Sequence, residues 1–179
     1  FTSRDVWTLF HSYAFDFSIW ELWGALLHGG KLLIVPRIVA RDPDVFHSKV
    51  CEHGVTVLNQ TPSAFREFRL ADERSQGRDS SDLRLLIFGG EALDASILQG
   101  WKNATNNQPT IFNMYGITET TVHVTQKLVD PGGSEQYCNI GVPLSDMQVY
   151  LLDSNMQPAP VGVRAELYVG GAGLARGYL

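Results

Sequence analysis

The chain has 179 residues, enough to bury a full core, and its 44% hydrophobic and 11% aromatic content belongs to a globular protein of one or two domains. Asp and Glu outnumber Lys and Arg, 19 against 14, with no basic cluster, so neither nucleic acid nor an anionic membrane is an expected partner. No apolar run reaches the roughly 18 residues of a membrane span and no leader opens the chain, which makes a cytoplasmic location the expectation.

Val6-Trp7-Thr8-Leu9-Phe10 has strand composition, and Ser18-Ile19-Trp20-Glu21 reads as a capping box opening an amphipathic helix that runs through Leu27 and stops at Gly29-Gly30. Lys31 to Val35 is expected as a buried strand. Asp42-Pro43 supplies an N-cap and a first-turn proline for a helix ending at Gly54, and Val55 to Leu58 returns to the sheet. Thr61-Pro62 starts a helix carrying Phe65 and Phe68, followed by a polar loop from Arg74 to Asp82. Leu83 to Phe88 is a strand closing on Gly89-Gly90, and a helix is expected around Ile97 to Trp101. Thr110-Ile111-Phe112 reads as a short buried strand, then come a loop through Pro131-Gly132-Gly133-Ser134-Glu135 and strands near Met147-Leu152 and Ala165-Val169. This alternation is α/β. Ligands of such sheets bind beyond the C-terminal strand ends, which singles out Asn59, the Gly89-Gly90-Glu91 turn and the turn at Tyr115. Cys51 and Cys138 form no CxxC and read as buried thiols, and the five histidines make no HExxH. Position 1 is Phe, and Leu179 follows a Gly-rich segment just past a strand, so the sequence is expected to be an internal fragment.

The segment Asn113-Met114-Tyr115-Gly116-Ile117-Thr118-Glu119-Thr120-Thr121 carries the most chemistry. Gly116 falls where a strand must turn, Tyr115 can stack on a base, Thr118 can donate to a phosphate oxygen, and Glu119 can hold a Mg²⁺ that neutralises phosphates. A strand end with a polar turn is the alternative. Gly170-Gly171-Ala172-Gly173-Leu174-Ala175-Arg176-Gly177 is not a dinucleotide fingerprint, because Arg176 stands where the third Gly is needed and no chain remains for the rest of the unit. A Walker A loop is also lacking, since Leu32 follows Gly30-Lys31.

Phe15-Asp16-Phe17-Ser18, the stretch Asn113 to Thr121, and Glu166 to Leu179 resemble successive core motifs of nonribosomal peptide synthetase adenylation domains, in the adenylate-forming enzyme superfamily. Asn59-Gln60-Thr61-Pro62-Ser63-Ala64-Phe65 and Phe88-Gly89-Gly90-Glu91-Ala92-Leu93 fit the same order. Ile117 replaces the usual proline and Ala165 the glycine before the glutamate, neither removing a reactive side chain. The resemblance implies part of the large N-terminal subdomain, with mixed sheets flanked by helices over residues 1–128 and the start of a β-rich part over 129–179. It implies ATP-dependent adenylation of an amino acid with release of pyrophosphate, then acyl transfer to the phosphopantetheine of a carrier domain among neighbouring synthetase domains. Asn113 and Tyr115 would hold adenine with Gly90, Glu91 and Ala92 on its other side, Thr118 would touch phosphate and Glu119 would ligate Mg²⁺, which makes Thr118 and Glu119 the catalytic pair. The phosphate-binding loop, the ribose-binding aspartate and the C-terminal subdomain with its lysine fall outside 1–179, so this piece alone is expected to be a poor enzyme.

The family's pocket positions align with Asp16, Phe17, Trp20, Asn59, Ile87, Gly89, Met114, Val122 and His123, which resembles the combination associated with threonine activation. Asp16 in an apolar pocket needs a cation, and the substrate α-ammonium would supply it. Its alternative is a cap on the helix near Ser18. Asn59 and His123 would bond a side-chain hydroxyl, against alternatives as a strand-end turn residue and a satisfied strand histidine. His11 receives no role, Arg176 suits a subdomain salt bridge as well as a substrate contact, and His28, His47 and His53 read as helix-end surface residues. An acyl- or aryl-CoA ligase would not need Asp16, and a noncatalytic docking module would not need Asp16, Thr118 and Glu119 together.

Overall fold

The computed structural model describes residues 1–75, 82–101, 109–131 and 139–178. Five parallel strands form most of a seven-stranded sheet: β1 (Val6–Leu9), β2 (Lys31–Ile34), β3 (Val57–Gln60), β4 (Leu85–Phe88) and β5 (Thr110–Tyr115). Two antiparallel strands complete it, β6 (Thr125–Val129) and β7 (Val142–Pro143), in the order β2-β1-β3-β4-β5-β6-β7. A separate antiparallel pair, β8 (Met147–Leu152) and β9 (Glu166–Gly171), follows.

Side chains alternate across the pleat, so each strand feeds two cores. On one face Trp7, Val57, Ile87 and Met114 pack with Phe17 and Ala25 of helix α1 (Phe17–Leu27). On the other, Leu58, Leu86, Phe88 and Ile111 meet Phe46 and Val50 of α3 (Pro43–Glu52) and Phe65 and Phe68 of α4 (Pro62–Arg74), with the short α2 (Arg37–Ala40) preceding α3. The caps expected at Asp42 and Thr61 are present: their side chains accept from Val45 N at 3.1 Å and Ala64 N at 3.2 Å, each with proline in the first turn. At the end of the sheet away from the strand C-termini, the buried Asp5 carboxylate accepts from Thr56 Oγ1 at 2.8 Å and Arg84 Nε at 2.6 Å, tying β1 to the segments entering β3 and β4. No helix among the described residues is long and apolar enough to cross a membrane.

Several elements differ from the sequence reading. Helix α1 begins at Phe17, so Ser18 lies inside it, and Asp16 takes the N-cap position without a capping hydrogen bond. Glu21 does not close a box with Ser18. It is fully buried, and its Oε2 accepts from the Phe10 and His11 N–H groups, each at 3.1 Å, which leave the sheet where β1 ends. Strand β2 is an edge strand with Lys31 and Ile34 exposed, because nothing pairs beyond it among the described residues. Strand β3 extends to Gln60, which puts Asn59 in the sheet rather than after it. The helix expected near Ile97 is a single 3-10 turn, Ala95–Leu98, ended at Gly100 with φ +73°. His47 is a buried residue within α3, its Nε2 2.8 Å from Asp72 Oδ1 of α4, because the helix packs on both sides of its apolar stripe. Cys51, beside it, is only half-buried. Cys138, most of the Arg74–Asp82 loop and the Gly132–Glu135 stretch lie outside the described residues.

Candidate functional site

A cleft and a buried cluster lie at the C-terminal ends of β3, β4 and β5, where ligands of open α/β sheets bind. The first is a cleft of about 350 Å³ lined by Gly90, Glu91, Ala92, Asn113, Met114, Tyr115, Gly116, Ile117 and Ile140. All five residues expected around a base are in this lining. Tyr115 ends β5 and is 38% exposed, leaving its ring available to a ligand. Asn113 is buried, and its Nδ2 donates to the Asn139 carbonyl at 3.0 Å. Glu91 is held back against α4, where its Oε2 accepts from Ser63 N at 3.1 Å and Ser63 Oγ at 2.6 Å. A carboxylate at a helix N-terminus satisfies otherwise unpaired donors.

The second feature is a buried cluster on the face covered by α1, which holds the residues expected to line an amino-acid pocket. Phe17, Ile87 and Met114 are buried there, with Trp20 and Val122 packed against them. Asn59 is completely buried on β3 and its Oδ1 accepts from Trp20 Nε1 at 3.0 Å. His123, 6% exposed, packs edge-on to Trp20 and Phe17, with ring centroids 4.9 and 5.4 Å apart. A Cβ at Gly89 would come within 3.3 Å of both His123 and Phe17, so glycine there keeps the pocket from filling. Asn59 Nδ2 and both His123 ring nitrogens have no protein partner. Burial pulls the His123 pKa down from 6.5 to about 4, against a smaller opposing pull from Asp16, so the imidazole is neutral at pH 7. Buried polar groups without a protein partner among apolar side chains suit a polar ligand.

Local backbone strain places His123. Thr121 and Val122 both have left-handed backbone, φ +56° and +70°, which β-branched residues strongly disfavour. His123 N donates to the Thr121 carbonyl at 2.9 Å, closing a tight three-residue turn around Val122. Two contacts hold it. Thr121 Oγ1 donates to the Gly173 carbonyl at 2.6 Å, and the Val122 carbonyl packs where Gly116 would carry a Cβ, only 2.2 Å from that position. Strain of this kind clusters at functional sites.

The Asp16 and Thr118 side chains join pocket to cleft: Thr118 Oγ1 donates to Asp16 Oδ2 at 2.6 Å. Glu119 is exposed, and its Oε1 accepts from Tyr178 O–H at 3.1 Å, while Ala175 N donates to the Glu119 carbonyl at 2.8 Å. An exposed carboxylate one residue from Thr118 fits Mg²⁺, which commonly takes one or two carboxylates and completes its shell with phosphate oxygens and water. Every residue expected in the two subsites is therefore in this one region. The sequence reading missed the Trp20–Asn59 and Thr118–Asp16 hydrogen bonds, Ser63 under Glu91, Ile140 in the cleft, and Tyr178 against Glu119. Tyr178 and Ser63 left a trace, each standing inside a motif already recognised, whereas Ile140 did not. His11 is a packing residue, stacked on Phe17 at 4.6 Å with its Nδ1 3.1 Å from Glu21 Oε1, and burial raises the Glu21 pKa.

The model of the family described as AMP-binding enzyme matches residues 1–179. A dimodular nonribosomal peptide synthase of Bacillus subtilis (strain 168) is 55% identical over 183 aligned residues, which cover 100% of this chain and 8% of that protein. Among solved structures, a four-domain nonribosomal peptide synthetase bound to AMP and glycine superposes with a TM-score of 0.81 at 30% identity, over 99% of this chain and 13% of that one. A Vibrio cholerae adenylation domain in complex with glycyl-adenosine-5'-phosphate gives 0.82 at 25% identity, over 100% of this chain and 34% of that one. The chain thus spans a small part of the length of the proteins it matches.

Proposed function

Because the chain belongs to the AMP-binding enzyme family of adenylate-forming ligases, as an adenylation-domain segment of the nonribosomal peptide synthetase type, we propose that it serves to activate L-threonine as its aminoacyl adenylate. One observation carries this reading: the Thr118–Asp16 hydrogen bond joins Asp16, next to Phe17 of the buried cluster that holds the unpartnered Asn59 and His123 groups, to Thr118, next to Ile117 of a cleft of about 350 Å³. The two similar structures, one bound to AMP and glycine and one in complex with glycyl-adenosine-5'-phosphate, support a nucleotide and an amino acid as the ligands of this fold.

In the proposed reaction an oxygen of the substrate carboxylate attacks the α-phosphorus of ATP. The bond from that phosphorus to the bridging oxygen breaks, and pyrophosphate leaves with the electron pair. Carboxylate is a weak nucleophile, so catalysis is mainly positioning and charge neutralisation. Asp16 holds the α-ammonium, and Phe17, Trp20, Ile87, Gly89, Met114 and Val122 shape an apolar space around the side chain. Asn59 and His123 bond its hydroxyl. Tyr115 and Asn113 hold the adenine against Gly90, Glu91 and Ala92, and Thr118, whose single O–H leaves Asp16 when the α-ammonium takes that carboxylate, donates to a phosphate oxygen. Glu119 is the residue that would hold Mg²⁺, which supplies neutralisation of phosphate charge when bound. Transfer of the threonyl group to the phosphopantetheine thiol of a carrier domain belongs to the same proposal.

The test is Asp16→Ala in the full adenylating protein that carries this sequence, with threonine and ATP affinities measured separately by calorimetry. Threonine binding is expected to be lost with ATP binding retained. An equal loss of both would return Asp16 to the scaffold.

A further inference from the structure

The Trp20–Asn59 hydrogen bond does more than join two pocket walls. An indole N–H only donates, so the atom 3.0 Å from it must be the Asn59 carbonyl oxygen, whatever the amide's nominal orientation. The carboxamide is planar, and once Oδ1 is taken up by the indole, Nδ2 points the other way. That Nδ2 is buried and has no protein partner. The same indole packs against His123, whose two ring nitrogens are also buried without partners. A neutral imidazole offers one N–H and one acceptor nitrogen. One side of the pocket therefore only donates, through Asn59, while the other can accept, through His123.

We infer that Trp20 is a positioning residue for specificity: its indole N–H fixes Asn59 as a pure donor, so the pocket selects a side-chain group that accepts from Asn59 while donating to His123. The inference rests on assigning this pocket to the amino acid. A hydroxyl satisfies both walls with one oxygen. A methyl group satisfies neither, and the unpaired amide then keeps its full desolvation cost. An ammonium donates only and meets the Asn59 N–H groups head-on. With the indole N–H removed, the carboxamide is free to rotate and present Oδ1, which converts the donor wall into an acceptor wall.

The experiment measures kcat/KM in pyrophosphate exchange for threonine, valine and 2,3-diaminobutyrate, using the full adenylating protein, Trp20→Phe, Asn59→Leu and the double variant. The expected result is a threonine-to-valine ratio of at least about tenfold in the wild type, lowered by about tenfold in Trp20→Phe. Diaminobutyrate should gain on threonine in that variant, which a loss of packing alone would not produce. In the Asn59→Leu background Trp20→Phe should no longer change the threonine-to-valine ratio, because residues acting through one another are not additive. A wild type that prefers threonine, with the ratio unchanged in Trp20→Phe, would overturn the inference and leave the substrate assignment standing. Equal wild-type rates for threonine and valine would overturn both. If Trp20→Phe fails to fold, Trp20→Leu takes its place with the same expected fall in the threonine-to-valine ratio, and an unchanged ratio there would overturn the inference.

Discussion

Lowering the pH should destabilise this protein through one identifiable histidine. His123 is 6% exposed and lacks a hydrogen-bond partner, and burial lowers its pKa from 6.5 to about 4. The folded value lies below the unfolded one, so as pH falls the unfolded chain takes up the proton first. The stability associated with neutral His123 is fully present above pH 6.5 and drains away between 6.5 and about 4. At about 1.4 kcal/mol per pH unit, that interval amounts to about 3.5 kcal/mol as an upper figure. Urea unfolding of the wild type and His123→Gln at a series of pH values from 7.5 to 4.5 isolates the contribution, because the other buried histidines, His11 and His47, are common to both proteins. The wild type should lose about 2.5 kcal/mol more than the variant over that range. A proton NMR titration of the His123 ring should show no protonation midpoint above about pH 5. A midpoint near 6.5, or parallel pH profiles for the two proteins, would refute the burial of an unpaired neutral imidazole.

Two further substitutions test the neighbouring geometry. Gly116→Ala places a Cβ 2.2 Å from the Val122 carbonyl oxygen and 2.7 Å from His123 Cα, both backbone atoms that cannot swing aside. It should cost about 1–3 kcal/mol in thermal unfolding and depress threonine binding more than ATP binding. Glu119→Gln keeps the side chain's shape and removes its charge, so the adenylation rate should fall and the Mg²⁺ concentration needed for half-maximal rate should rise, with the melting temperature unchanged. An unaltered Mg²⁺ dependence would confine Glu119 to its contact with Tyr178.

The order of strands and helices was legible because Asp42-Pro43 and Thr61-Pro62 carry their own start signals and Gly89-Gly90 its own stop. The capping box at Ser18 failed because the pattern does not encode where Glu21 is needed: two N–H groups freed at the end of β1 claim its carboxylate. His47 failed for a related reason, since its partner Asp72 lies 25 residues away on another helix. Strands β6 and β7 escaped notice because Leu128 and Val142 are exposed, and pairing with β5 and β6 rather than apolar alternation places them. In the candidate site, motif order named residues that the fold places in one region, whereas their mutual hydrogen bonds were out of reach. Nothing local to Trp20 marks Asn59 as its acceptor, 39 residues on, and nothing local to Thr118 marks Asp16, 102 residues back. Both pairs arise only when parallel strands bring their C-terminal ends to one edge.

The most direct test of the whole account is amino-acid-dependent exchange of labelled pyrophosphate into ATP, run on the full adenylating protein across the twenty common amino acids. A pocket with Asp16 at its mouth and Asn59 and His123 in its walls predicts threonine as the strongest substrate, ahead of valine by at least about tenfold. Exchange that is independent of amino acid, or that proceeds equally with valine and threonine, would contradict it.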